Sequence, residues 1–147
     1  MQHNEFIDKL DDARIVEAIS AAEAKSSGEI RVFVSRQRPG AENETIELAQ
    51  RTFERLGMTK TRHRNGVLLF FAPSAQQFAV IGDAGIHEKC GETFWKEVAQ
   101  IMGGLLKEGD FTSAILQGVQ ETGRLLAQHF PRDSDDRNEL PNAVERD

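Results

Sequence analysis

Residues 67–72 read Val-Leu-Leu-Phe-Phe-Ala, six apolar side chains in a row. In a strand, successive side chains point to opposite faces, so this run presents no polar face to water. Such a strand has to be covered above and below, which predicts a position in the middle of a sheet flanked by helices on both sides. The turn Pro73-Ser74-Ala75-Gln76 follows at once. Beyond it, residues 77–81 alternate as a second strand, with Phe78 and Val80 opposite Ala79 and Ile81. So short a connection predicts a β-hairpin, and therefore an antiparallel pair.

The segments around this hairpin have recognisable periods. Residues 8–25 place Ile15, Ile19 and Ala22 at helical spacing, with Val16 and Ala18 beside them. Asp8 is a candidate cap, Asp11 and Asp12 suit the positive end of the helix, and Ser26-Ser27-Gly28 ends it. Residues 29–35 alternate as a strand, Ile30, Val32 and Val34 against Arg31, Phe33 and Ser35. A helix is predicted over residues 44–56, with Ile46, Ala49, Phe53 and Leu56 inward. A third runs over 86–107 with Phe94, Val98, Ile101 and Leu105 inward, and a fourth over 111–130, capped by Asp110 and stopped by Pro131. The order is α-β-α-β-β-α-α. A helix between the first two strands implies a right-handed parallel crossover. The expected fold is a three-layer α/β/α sandwich around a small mixed sheet, one domain over residues 8–131. Residues 132–147 are charged and almost without apolar content, and are expected to form a disordered tail.

Composition removes several classes of function. The 147 residues carry a net charge of −6, which argues against general nucleic-acid binding. A local basic stretch does exist: Arg51, Arg55, Lys60, Arg62, His63 and Arg64. It reads either as a solvated helix end and loop or as a contact surface for another protein. One cysteine, Cys90, allows no intrachain disulfide, and it lacks an arginine at the spacing of a cysteine-phosphatase loop. No apolar run approaches the roughly 20 residues needed to span a bilayer, and residues 1–5 do not resemble a signal peptide. A cytoplasmic monomer is the expectation. Gly82-Asp83-Ala84-Gly85 is too short for a dinucleotide fingerprint, and no serine elbow or zinc-spaced histidine pair occurs.

Strand direction gathers the candidate chemistry. Two parallel strands begin on one rim of the sheet, and a reversed third strand ends on that same rim. Glu29, Asn65 and Asp83 therefore meet there, with His87 one helical turn beyond Asp83. Two carboxylates and an amide oxygen are hard ligands suited to Ca²⁺ or Mg²⁺. A metal there would polarise a phosphate ester and activate water, with Asp83 and His87 in catalytic roles. Each residue also has a plainer reading: Glu29 as acceptor for backbone amides at the strand entry, Asp83 as cap of the next helix, Asn65-Gly66 as a turn.

Three motifs, in order, resemble one family. Ser27-Gly28-Glu29-Ile30-Arg31-Val32 is similar to the first-strand motif of the TPM domain family, and Asn65-Gly66-Val67-Leu68-Leu69-Phe70 to its central-strand motif. The run from Phe78 through Gly82-Asp83-Ala84-Gly85 to Glu88 resembles the loop signature of its short, soluble bacterial members. Phe94-Trp95 and Gly109-Asp110-Phe111 extend the likeness. The resemblance implies an acid-phosphatase activity and calcium binding, described for some relatives. Longer forms carry Asp-Asn-Gly before the central strand, where this chain has Arg64-Asn65-Gly66, and a Gly-x-Gly-x-Glu-Gly loop that is absent here. Two readings follow. One is a divalent-metal-dependent phosphate-ester hydrolase; the other is a non-catalytic calcium-binding or protein-interaction module.

Overall fold

A computed structural model describes residues 11–91, 93–132 and 144–146. Its elements are α1 (Asp12–Glu23), β1 (Glu29–Val34), α2 (Glu42–Arg55), a 3₁₀ turn (Met58–Lys60), β2 (Gly66–Ala72), a second 3₁₀ turn (Pro73–Ala75), β3 (Gln77–Gly82), α3 (Ala84–Cys90), α4 (Thr93–Lys107), α5 (Phe111–His129) and β4 (Val144–Arg146). The sheet order is β3-β2-β1-β4. β1 pairs parallel with β2 and with β4, and β2 pairs antiparallel with β3. The fold is the mixed α/β sandwich that the alternation of periods predicts.

The twofold apolar character of β2 sets the layers. Every residue of β2 is buried. Val67, Leu69 and Phe71 join Ile30, Val32 and Val34 of β1 in one core, against Ile15 and Ile19 of α1, Ile86 of α3, Val98 and Met102 of α4, and Ile115, Val119 and Leu126 of α5. Leu68 and Phe70 join Phe33 and Ala79 in a second core on the other face, against Ala49 and Phe53 of α2 and Met58. Phe33 and Phe70 stack across the β1–β2 pair with centroids 5.7 Å apart.

The structure corrects four details. The helical run over 86–107 is two helices, because Gly91 takes φ 74° between them; α4 therefore restarts in a new phase, burying Met102 and leaving Ile101 exposed. Phe94, expected inward, lies outside the described side chains. In α2, Thr45 and Thr52 are buried, whereas Ile46 is 38% exposed. Their hydroxyls bond back to the carbonyls of Ala41 and Leu48 at 3.2 and 2.8 Å, so both polar groups enter the core satisfied. The cap of α1 is Asp11, whose carboxylate accepts the Arg14 amide at 3.2 Å; Asp8 lies outside the described residues.

The fourth correction concerns the segment 132–147. Residues 133–143 and 147 lie outside the description, but Val144–Arg146 form β4, in parallel register with Val32–Val34. Two ion pairs anchor it: Arg146 to Asp12 at 2.7 Å, and Glu145 to Arg31. Arg31 is only 4% exposed, and a charge that far from water needs a partner. Glu145→Ala should therefore lower stability by about 2 kcal/mol in denaturant unfolding. The double variant Arg31→Met/Glu145→Ala should recover most of that loss, because it removes the buried charge as well. Equal losses in the two variants would mean that Glu145 does not balance Arg31.

Candidate functional site

The rim where β1 and β2 begin and β3 ends is assembled by backbone contacts. Glu29 and Gly66 are register partners, as are Val67 and Gly82. The Glu29 amide donates to the Asn65 carbonyl at 3.4 Å, and the Asp83 amide to the Gly66 carbonyl at 3.0 Å. The three residues expected to meet do therefore have adjacent backbones on one rim.

Their side chains take separate partners. Asp83 is 5% exposed. Its Oδ2 accepts Arg64 Nε at 2.7 Å, and its Oδ1 accepts Arg64 Nη2 at 2.7 Å and the Ala84 amide at 2.8 Å. One carboxylate thus caps α3 and clamps a guanidinium bidentately. The pair holds Arg64 more firmly in its charged form, chiefly through the hydrogen bonds and then through the opposite charge. Asn65 is buried; its Nδ2 donates to Ser27 Oγ at 3.2 Å, while its Oδ1 has no hydrogen-bond partner. His87 is exposed on α3, with its amide 3.4 Å from the Asp83 carbonyl, and it lines an open groove of about 630 Å³ along β3. Among the described residues, no three His, Cys, Asp or Glu side chains gather as metal ligands.

The third predicted carboxylate, Glu29, leads to a residue that sequence reasoning passed over. Buried Glu23, the last residue of α1, hydrogen-bonds Glu29 and accepts the Ile30 amide at 2.7 Å. Burial, reinforced by the Glu29 charge and hydrogen bond, pushes Glu23 up to about 9, although the Ile30 amide and Arg132 pull the other way. Burial and the neighbouring carboxylate thus favour the protonated form of Glu23, which can donate to Glu29. The stripe Ile15, Ile19, Glu23, at intervals of four, carried the signal that Glu23 points inward.

Around Asp83 the loop of residues 61–65 packs tightly. The Gly85 amide donates to the Arg64 carbonyl at 2.8 Å, and a Cβ on Gly85 would lie 2.5 Å from the His63 carbonyl oxygen and 2.6 Å from that of Arg64. Gly85, the second glycine of the Gly82-Asp83-Ala84-Gly85 run, is thus required by this close approach. Cys90 is half-buried, and burial pushes its thiol up despite nearby Lys89, which makes it a weak nucleophile.

The family model of the TPM domain matches residues 1–125. This chain belongs to the TPM domain family. Among solved structures, the TPM domain is similar to the NMR structure of the BA42 protein from the psychrophilic bacterium Bizionia argentinensis, at 33% identity, 92% coverage of each chain and a TM-score of 0.83. The solution structure of the N-terminal domain of a P. gingivalis protein shares the fold, at 17% identity, 80% coverage of this chain, 76% of that one and a TM-score of 0.58. No curated protein matches the chain. Among the described residues, no helix is long and apolar enough to cross a membrane.

The Glu23–Glu29 pair makes a prediction with a definite sign. Unfolded Glu23 titrates near 4.5 and folded Glu23 near 9, so folding takes up a proton between those values. The contribution is therefore full below about pH 4.5 and is lost as pH rises towards 9. Glu23→Gln mimics the protonated form and does not titrate. It should leave stability near pH 4.5 little changed and raise it at pH 8. Parallel stability curves for the two proteins from pH 4.5 to 9 would refute the shared proton.

Proposed function

We propose that this TPM domain is a non-catalytic interaction module whose contact surface is the basic loop at the sheet rim, and that its partner is an acidic protein segment. The observation that carries this reading is a rigid basic loop on a chain of net charge −6. Lys60, Arg62, His63 and Arg64 are exposed, and Arg51 and Arg55 extend the surface along the end of α2. The loop is fixed from beneath by buried Met58 and Thr61, by the Lys60 and Arg64 amides on the carbonyls of Gly57 and Thr61 at 3.1 and 3.3 Å, and by the Arg64–Asp83 clamp. A surface ordered beforehand loses little entropy on binding, and its charge speeds encounter with an acidic partner.

The hydrolytic reading would use Glu29, Asn65 and Asp83 to hold Ca²⁺ or Mg²⁺, with His87 assisting proton transfer. One observation favours it: Asn65 Oδ1 is a buried oxygen with an open lone pair at this rim. Against it stand the engagement of both Asp83 oxygens by Arg64 and the Glu23–Glu29 hydrogen bond. A metal using Asp83 would have to displace a bidentate guanidinium.

Two measurements separate the readings. On the interaction reading, an oligoglutamate peptide binds the purified domain in a salt-sensitive manner, and Lys60→Glu/Arg62→Glu weakens that binding at least about tenfold by removing attraction and adding repulsion. The same protein turns over a generic phosphate ester no faster than a mock purification. Binding untouched by the double charge reversal rejects the surface. Turnover that both a chelator and Asp83→Ala abolish restores the hydrolase.

A further inference from the structure

We propose that Arg64 is a resident cation of the rim: its guanidinium takes, at Asp83, the place that a divalent metal would take, so that this end of the sheet keeps its shape without metal.

A carboxylate that is 5% exposed persists as an anion only if cations or strong donors surround it. Asp83 has three such donors: Arg64 Nε, Arg64 Nη2 and the Ala84 amide, at 2.7, 2.7 and 2.8 Å. The planar fork of arginine satisfies both oxygens at once, which a lysine ammonium would not do. With its side chain 51% exposed, Arg64 closes the carboxylate off from the solvent side, as a plug would.

The backbone at Arg64 is consistent with a position imposed from several directions. Arg64 takes φ 52°, the left-handed region that side chains other than glycine and asparagine rarely adopt. Such a conformation persists when its surroundings over-determine it. Here the Arg64 carbonyl accepts the Gly85 amide at 2.8 Å, its amide donates to the Thr61 carbonyl at 3.3 Å, and its side chain grips Asp83. Asp83 and Gly85 belong to one tight exit from β3, so loop and exit are locked by a single residue.

An acidic residue at position 64 would set a second carboxylate at the rim beside Asp83, and the two would need a cation between them. Arg64 supplies that cation from within the chain. The inference concerns the free protein and stands whether or not the basic loop binds a partner.

Calcium and a chelator, added to the purified protein, decide it. The wild-type melting temperature should be the same in millimolar Ca²⁺ and in excess chelator, and the amide NMR signals of Asp83, Ala84 and Gly85 should not shift on titration with Ca²⁺. Arg64→Asp, which sets a second carboxylate beside Asp83, should melt several degrees lower in chelator and regain most of that loss in Ca²⁺. Arg64→Gln should lose stability in both and regain none; it keeps the test decisive if Arg64→Asp does not fold. A wild-type protein that Ca²⁺ stabilises, with shifts at Asp83 to Gly85, overturns the proposal. So does a folded Arg64→Asp protein indifferent to Ca²⁺.

Discussion

The reversal of β3 against β2 is the constraint from which the rest of this rim follows. Because Val67 faces Gly82 in an antiparallel register, the chain leaves β3 beside the residues with which it entered β2. Asp83 then lies within reach of Arg64, 19 residues earlier. The Arg64–Asp83 clamp fastens the two ends of the hairpin, starts α3 through the Ala84 amide, and fixes the direction in which the basic loop faces.

Electrostatics across the domain follow one pattern: each buried charge is matched locally. Asp83 meets Arg64, Arg31 meets Glu145, and the Glu23 carboxyl meets Glu29 by keeping its proton. Each match joins two different segments of the fold. Arg31 on β1 holds the C-terminal strand to the sheet, and Glu23 ties the end of α1 to the entry of β1, where it also accepts the Ile30 amide. Polar groups inside a small α/β domain are costly, and here they are spent at the junctions between elements, where apolar packing alone would leave register loosely specified.

Much of this was legible in the sequence. The two-faced apolar run 67–72, the short turn after it and the Asp110 cap of α5, whose carboxylate accepts the Ser113 amide at 3.3 Å, all act locally, and local rules found them. The meeting of Glu29, Asn65 and Asp83 at one rim followed from strand direction alone. What periodicity does not carry is where a side chain points once its backbone has arrived. Arg64 reaches Asp83 only because its backbone adopts a left-handed conformation against Gly85, and no spacing rule announces that. β4 escaped for another reason: three residues, two of them charged, become a strand only through β1 and two long-range ion pairs. Glu23 continued the inward stripe of α1, but a glutamate at a helix end ordinarily points to water, and its burial is tolerated through its hydrogen bonds to the Ile30 amide and to Glu29.

The central claim, that Asp83 is held bidentately by Arg64, can be read directly from the arginine side-chain signals in an NMR spectrum. The account predicts a resolved, slowly exchanging Arg64 Nε–H resonance, shifted from the position of solvated arginines and lost on Asp83→Asn substitution. An Arg64 Nε–H signal that exchanges as fast as those of arginines in water, and is unchanged by that substitution, would contradict it.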